Sequence, residues 1–167
     1  MAAVEIRRVR SHETRLLRSV RLRALADSPH AFSSTLEEER ELAAAEWAER
    51  TAEAAAGTEA VVILALAAGD TPVGMAGGRV REEPGVISLW GMWVDPTARG
   101  ARLGARLVDA VGDWARSGGA HTFRLGVMDD APEAVAFYER VGFTRLAGAR
   151  PLTSDPARTW HQMVRPL

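Results

Sequence analysis

The hydrophobic and polar positions of this chain follow two periods, and the switches between them lay out an α/β order. Val4 and Ile6 alternate with Glu5 and Arg7, which predicts a strand over 4–9. Leu16, Leu17, Val20, Ala24 and Leu25 fall at helical spacing, with Ser11 as the expected N-cap and Asp27-Ser28-Pro29 as the stop. After a loop over 28–33, Ser34 and Glu37 have capping-box spacing, so a second helix is expected through Glu37-Glu38-Glu39 and Trp47 to Gly57. Apolar runs at 60–66 and 72–80, joined by Gly69-Asp70-Thr71-Pro72, predict a hairpin. A third run, 86–94, follows the turn Arg81–Gly85. Then Leu103, Leu107, Val111 and Trp114 form a helical stripe closed by Gly118-Gly119. A strand is expected at 121–127. Asp130-Ala131-Pro132-Glu133 opens a last helix whose apolar face is Ala134, Phe137, Tyr138 and Val141. Two more strands, 143–146 and 159–164, complete a single α/β domain over 1–167, with no repeat, linker or low-complexity stretch.

The stretch from Leu89 to Val108 is where chemistry is expected. Asp95-Pro96 stops the strand, because proline cannot donate to a ladder. A helix begins a few residues later. The first amides of a helix have no internal partner and its dipole favours negative charge there, so a strand feeding a helix through a glycine turn makes an anion site. Gly100 and Gly104 let the backbone come close to a ligand, and Arg99 and Arg102 add charge. By physics alone Arg99–Ala105 is a candidate phosphate cradle. There is no Lys-Ser/Thr for a P-loop and no Gly-x-Gly-x-x-Gly for a Rossmann unit.

Composition narrows the field by exclusion. The net charge of −1 gives no reason to expect nucleic acid or an anionic membrane as partner. No cysteine and four scattered histidines leave no thiolate nucleophile and no metal-ligand spacing, so no metal is expected. Charged residues follow Met1-Ala2-Ala3-Val4-Glu5, and no apolar run reaches the ~20 residues of a bilayer span, which predicts a cytoplasmic protein. All 21 basic residues are Arg. With the abundant Ala this is a GC-rich, bacterial-like composition, and an amine-modifying enzyme of this sequence has no lysine of its own to modify.

Arg99-Gly100-Ala101-Arg102-Leu103-Gly104 resembles the Gln/Arg-x-x-Gly-x-Gly/Ala signature of the GNAT superfamily, the acyl-CoA-dependent N-acetyltransferases, and Val94-Asp95-Pro96 before it is also similar. Arg102 stands where that signature has its middle glycine. Ala134 to Phe143 resembles the family's Ala-x-x-Leu/Phe-Tyr-x-x-x-Gly-Phe segment, and the element order is similar over nearly the whole chain. The resemblance implies a mixed, largely antiparallel sheet that splays between its fourth and fifth strands, flanked by about four helices, with acetyl-CoA in the split as cosubstrate. It implies that Met92, Trp93 and Val94 pair with the cofactor's pantetheine arm, that an amide near Val94 stabilises the oxyanion, and that the turn Arg99, Gly100, Ala101, Arg102, Leu103, Gly104 and Ala105 holds the pyrophosphate.

It further implies that Tyr138, the only tyrosine, protonates the departing thiolate. A phenol with a reference pKa of ~10 stays protonated above a thiol at ~8.5 and so is suited to the task. Ala131 stands where the family often has Asn and carries no side-chain role. In similar proteins the loop bearing His30 and Phe32 borders the acceptor site, and Ser88 and Trp90 complete the candidate acceptor contacts. Imidazole exchanges protons near neutrality, which makes His30 a candidate for proton transfer. At least one of Trp90 and Trp93 is expected in the core. Glu37 to Glu39 read as a solvated helix start, and Asp129 and Asp130 as caps. The expected activity is acetyl transfer from acetyl-CoA to a primary amine, a small molecule before a peptide, by a monomer or homodimer. The alternatives are a peptide N-acetyltransferase and, from another class, an acyl-CoA sensor without turnover, which would need no proton donor at Tyr138.

Overall fold

The computed structural model describes residues 4–167. Its elements are β1 (Glu5–Arg8), α1 (Thr14–Asp27), α2 (Leu36–Arg40), α3 (Ala44–Ala56), β2 (Ala60–Ala67), β3 (Thr71–Val80), β4 (Val86–Val94), α4 (Leu103–Ser117), β5 (Thr122–Met128), α5 (Pro132–Arg140), β6 (Thr144–Arg145), β7 (Arg150–Leu152) and β8 (Asp155–Pro166). The strands form one sheet in the order β1-β2-β3-β4-β5-β8-β6, with β7 on β8. Every pairing is antiparallel except β4 with β5.

β2 shows why the sheet is covered on both faces. It is buried along almost its whole length, as an unbroken Ala60–Leu66 apolar run requires. Val61, Ile63 and Ala65 join one core with Leu107 and Val111 of α4. Val62, Leu64 and Leu66 join a second core with Leu17 and Val20 of α1 and Trp47 of α3. Successive side chains point to opposite faces, so a strand buried on both sides has to be apolar at every position.

Several local details differ from the sequence reading. The helix expected through 34–56 is two helices, broken over Glu41–Ala43. Its capping box is Thr35 with Glu38, not Ser34 with Glu37. Glu13, not Ser11, precedes α1, and its carboxylate accepts from the backbone of Arg10 and from Arg7. Ala131, not Asp130, stands at the N-cap of α5. Glu39 is not solvated: it is buried against Arg21 at 2.8 Å.

Two features of β4 shape the site. It pairs with β5 only at Val86–Ser88 against Thr122–Arg124. Beyond Ser88 the two strands part, and the edge of β4 facing β5 has no strand on it. Against β3, Met75 pairs with Trp93 but Gly77 with Trp90, so Gly91 and Met92 together oppose Ala76. This is a bulge, and Gly91 takes the positive φ, +61°, that it needs.

Candidate active site

The bulge reverses which side chains of β4 face which core. Ile87 and Leu89 face the α4 side, and after the extra residue Met92 and Val94 do. Trp90 and Trp93 both face the α1 side. The parting of β4 from β5 opens a cleft of about 1070 Å³, lined by Met92, Trp93 and Val94, by the turn into α4, and by Ala134, Phe137 and Tyr138 of α5.

The turn is built from the chain outward. Asp95 accepts from the Thr97 amide at 2.9 Å and pairs with Arg23. Gly100 has a φ of +94° with open space around its Cα, so it is required by backbone conformation and not by packing. Arg102, at the N-cap of α4, also sits in the left-handed region, at φ +55°, ψ +18°. A non-glycine residue pays ~1–2 kcal/mol to adopt this conformation, and here it occupies the position where the resembled signature has glycine. From Arg102 onward α4 turns normally, Arg106 N–H donating to the Arg102 carbonyl at 3.1 Å. The amides ahead of it, Leu103 to Ala105, have no internal acceptor and point toward the turn.

Arg99 does not add free charge to this cradle. Its Nη2 donates to Asp27 Oδ2 at 2.8 Å and its Nε to the Val94 carbonyl at 3.1 Å. The indole N–H of the buried Trp93 donates to the same Asp27 oxygen at 2.9 Å. These donors, the indole foremost, hold the Asp27 carboxyl below its ordinary range. The end of α1 thus grips the turn at Asp95 through Arg23 and at Arg99 through Asp27. Arg102 is exposed and remains the cation beside the open amides.

Gly104 seats α4 on the cleft wall. A Cβ there would stand 2.9 Å from Met92 Cε and 3.1 Å from the Phe137 ring. Tyr138 packs edge-on between Phe137 (5.2 Å between centroids) and Phe143 (5.8 Å). It is half-buried and lines the cleft, and burial pushes its hydroxyl pKa up.

Of the residues singled out from the sequence, Tyr138, His30, Met92, Trp93, Val94, Arg99, Gly100, Arg102, Leu103, Gly104 and Ala105 all line this one cleft, and Ala101 of the same turn does not. Trp93 does so from the core: its side chain is 4% exposed. His30 is exposed and its carbonyl accepts from Arg158 Nη2 at 2.8 Å, with Arg158 also held by Asp130. Phe32 is buried under the Arg21 guanidinium, 4.8 Å from its ring. Ser88 and Trp90 line a second cavity on the α1 side of the sheet. Asp129 is not a cap: it takes hydrogen bonds from Thr159 and pairs with Arg145 and His161. Sequence reading missed Asp27, Arg23 and Arg21, which signal only through partners far along the chain, 72 residues away for Asp27 and Arg23 and 18 for Arg21.

A sheet opened beyond its one parallel strand pair, with a glycine turn and helix N-terminus at the cleft, is the fold that the resemblance implies. The model of the acetyltransferase (GNAT) family matches residues 21–143, and the chain belongs to that family. A relative, an IAA acetyltransferase of Azospirillum brasilense, is 31% identical over 97 residues, 58% of this chain and 62% of that protein. The chain therefore spans less than two thirds of that relative's length. Among solved structures, yncA of Salmonella typhimurium, a putative acetyltransferase with its cofactor acetyl-CoA, superposes with a TM-score of 0.78 at 17% identity, over 99% of this chain and 95% of that one. The paia N-acetyltransferase of Thermoplasma acidophilum, in complex with coenzyme A, gives 0.78 at 15% identity over 99% of each chain. These two likenesses are likenesses of fold. Among the described residues no helix is long and apolar enough to cross a membrane.

Proposed function

We propose that this chain transfers an acetyl group from acetyl-CoA to the primary amine of a small molecule, by direct attack while both are bound. The observation that carries the reading is the convergence, on one cleft, of the unpaired edge of β4, the turn into α4 and Tyr138. The cleft fits the cosubstrate: it is about 1070 Å³, it is lined by a strand edge free to pair with amides, and the start of α4 with its open amides and Arg102 also line it. Relatives of the fold crystallised with acetyl-CoA or coenzyme A, and an IAA acetyltransferase relative, support the same assignment.

The thioester supplies an activated acyl group. The new bond forms between the amine nitrogen and the acyl carbon, and the carbon–sulfur bond breaks. Met92, Trp93 and Val94 present backbone to orient the cosubstrate, and the Arg99–Ala105 turn holds its pyrophosphate. Tyr138, kept protonated by its apolar surroundings, gives its proton to the departing thiolate. The nitrogen's surplus proton goes to solvent or to His30, which lines the same cleft. Asp27 and Asp130, held by Arg99 and Arg158, are unsuited to that task.

The test is thiol release from acetyl-CoA across a panel of amines, with cosubstrate affinity measured separately by calorimetry. Micromolar acetyl-CoA binding with turnover on at least one small amine is expected. Tight binding without turnover on any amine would make the chain a sensor, and turnover on peptide amines alone would move the acceptor class.

A further inference from the structure

The second cavity encloses about 380 Å³ between α1, α3 and the face of the sheet opposite α4. Three of the residues on its wall carry buried donors with no acceptor: Arg21 Nη1, Trp47 Nε1 and Trp90 Nε1. Arg21 is 8% exposed and Trp47 2%. Buried donors are nearly always paired, so three unpaired ones on residues that wall one cavity leave unused capacity for an acceptor group beside it. Arg21 has already used its Nε and Nη2 on Glu39, with Nη2 also donating to Ser34. Its Nη1 is what remains.

Charge points the same way. The two carboxylates on the wall are committed, Glu39 to Arg21 and Glu53 to Arg79 at 2.9 Å. Arg50 also reaches Glu39, at 3.8 Å, and Arg81 lines the cavity outside these pairs, so the guanidiniums on the wall outnumber its carboxylates. Leu17, Val62 and Met75 supply an apolar wall for hydrocarbon.

The cavity backs onto the cleft at the β4 bulge. Trp90 belongs to the cavity, and Met92 and Trp93 to the cleft. A Cβ built on Gly91 between them would lie 3.4 Å from Arg21 Nη1. Cavity and cleft thus meet β4 at neighbouring positions, Trp90 on one and Met92 on the other.

We propose that this cavity is the acceptor's anchoring site, and that it takes an amine whose far end is a carboxylate on an apolar body, such as a hydrophobic amino acid. The assignment deepens the acetyltransferase reading and rests on it. A polyamine, cationic throughout, is the wrong partner for a wall with surplus guanidinium.

The experiment compares L-leucine, L-phenylalanine and L-tryptophan with the amines left when each loses its carboxylate, and with spermidine. A hydrogen bond to a charged group corresponds to about 10–100-fold. At least one amino acid should be acetylated with a kcat/KM at least about tenfold above its decarboxylated partner. In Trp47→Phe, which removes one donor and keeps a ring, that ratio should shrink several-fold, and Trp90→Phe gives a second measurement if Trp47→Phe does not fold. Spermidine or the decarboxylated amines used as well as every amino acid would overturn the proposal while leaving the acetyltransferase reading intact, and a ratio unmoved in both variants would overturn the placement. Calorimetry of the same pairs on the protein without acetyl-CoA separates the two readings. A carboxylate preference there supports the site even if no turnover is found, and equal or undetectable binding of every pair overturns it.

Discussion

Asp27, the last residue of α1, accepts from Arg99 at 2.8 Å, and Arg99 opens the turn that leads into α4. The same carboxylate oxygen takes the indole N–H of Trp93. One side chain thus joins the helix layer, the central strand and the turn into α4. Removing it in Asp27→Ala leaves a buried indole donor unpaired, which costs ~1–3 kcal/mol of stability. The exposed Arg99 half of the contact adds little. Because the folded-state pKa of Asp27 is depressed, its contribution is fully present above the ordinary carboxylate range and is lost as pH falls through the lowered value. Urea midpoints of the wild type and Asp27→Asn should therefore converge as the pH is taken down into that range. A constant gap at every pH would show that Asp27 acts through packing alone.

Arg102 separates two effects that a glycine would merge. Its left-handed backbone is strained, and its guanidinium lies beside open amides. Arg102→Ala keeps the strain and removes the charge, whereas Arg102→Gly removes both. Acetyl-CoA affinity should fall several-fold in both at low salt and converge on wild type at high salt, since exposed charge contacts are worth ~1 kcal/mol or less and are screened. The glycine variant should be the more stable of the two by ~1 kcal/mol in urea. Tighter acetyl-CoA binding by Arg102→Gly at every salt concentration would mean that the arginine hinders the cradle.

Gly104 offers a test of the cleft's geometry. A side chain there presses on Met92 and Phe137, both of which line the cleft. Overpacking of this kind costs ~1–3 kcal/mol. Calorimetry should show acetyl-CoA binding reduced about tenfold or more in Gly104→Val, with Gly104→Ala between it and wild type. Undiminished affinity in Gly104→Val would remove the pyrophosphate from this turn.

The sequence made the frame readable where one period ran uninterrupted. The apolar run Val86–Val94 predicts a strand and forms β4 with those bounds. The stripe Leu103, Leu107, Val111 became the buried face of α4. The reading failed where a contact from far along the chain decides. Glu39 looks solvated within an acidic run, and Arg21, Ser34 and Arg50, folded against it, make burial tolerable. The bulge at Gly91 was the costliest omission. Strict alternation puts Trp93 on the face of Leu89, but one extra residue sends it to the face of Trp90. Ser88 and Trp90, expected with His30 among the acceptor contacts, line the second cavity, while His30 lines the cleft.

Tyr138 is the test on which the proposed chemistry turns. It lines the cleft from the inner turn of α5, with its ring locked edge-on between Phe137 and Phe143. The same apolar packing raises its hydroxyl pKa. A phenol with a raised pKa stays protonated and neutral through neutral and mildly alkaline pH, so Tyr138 should not appear as a limb of the pH–rate profile there. A positioned acid contributes ~10²–10⁴-fold. Tyr138→Phe preserves both aromatic contacts and removes only the proton. Steady-state kinetics on any accepted amine should show kcat lowered by that order, while acetyl-CoA affinity and the thermal midpoint stay close to wild type. Wild-type kcat in this variant, with chemistry limiting turnover, would mean that water protonates the thiolate. A variant that unfolds would instead show that the hydroxyl serves the core between α5 and Phe143.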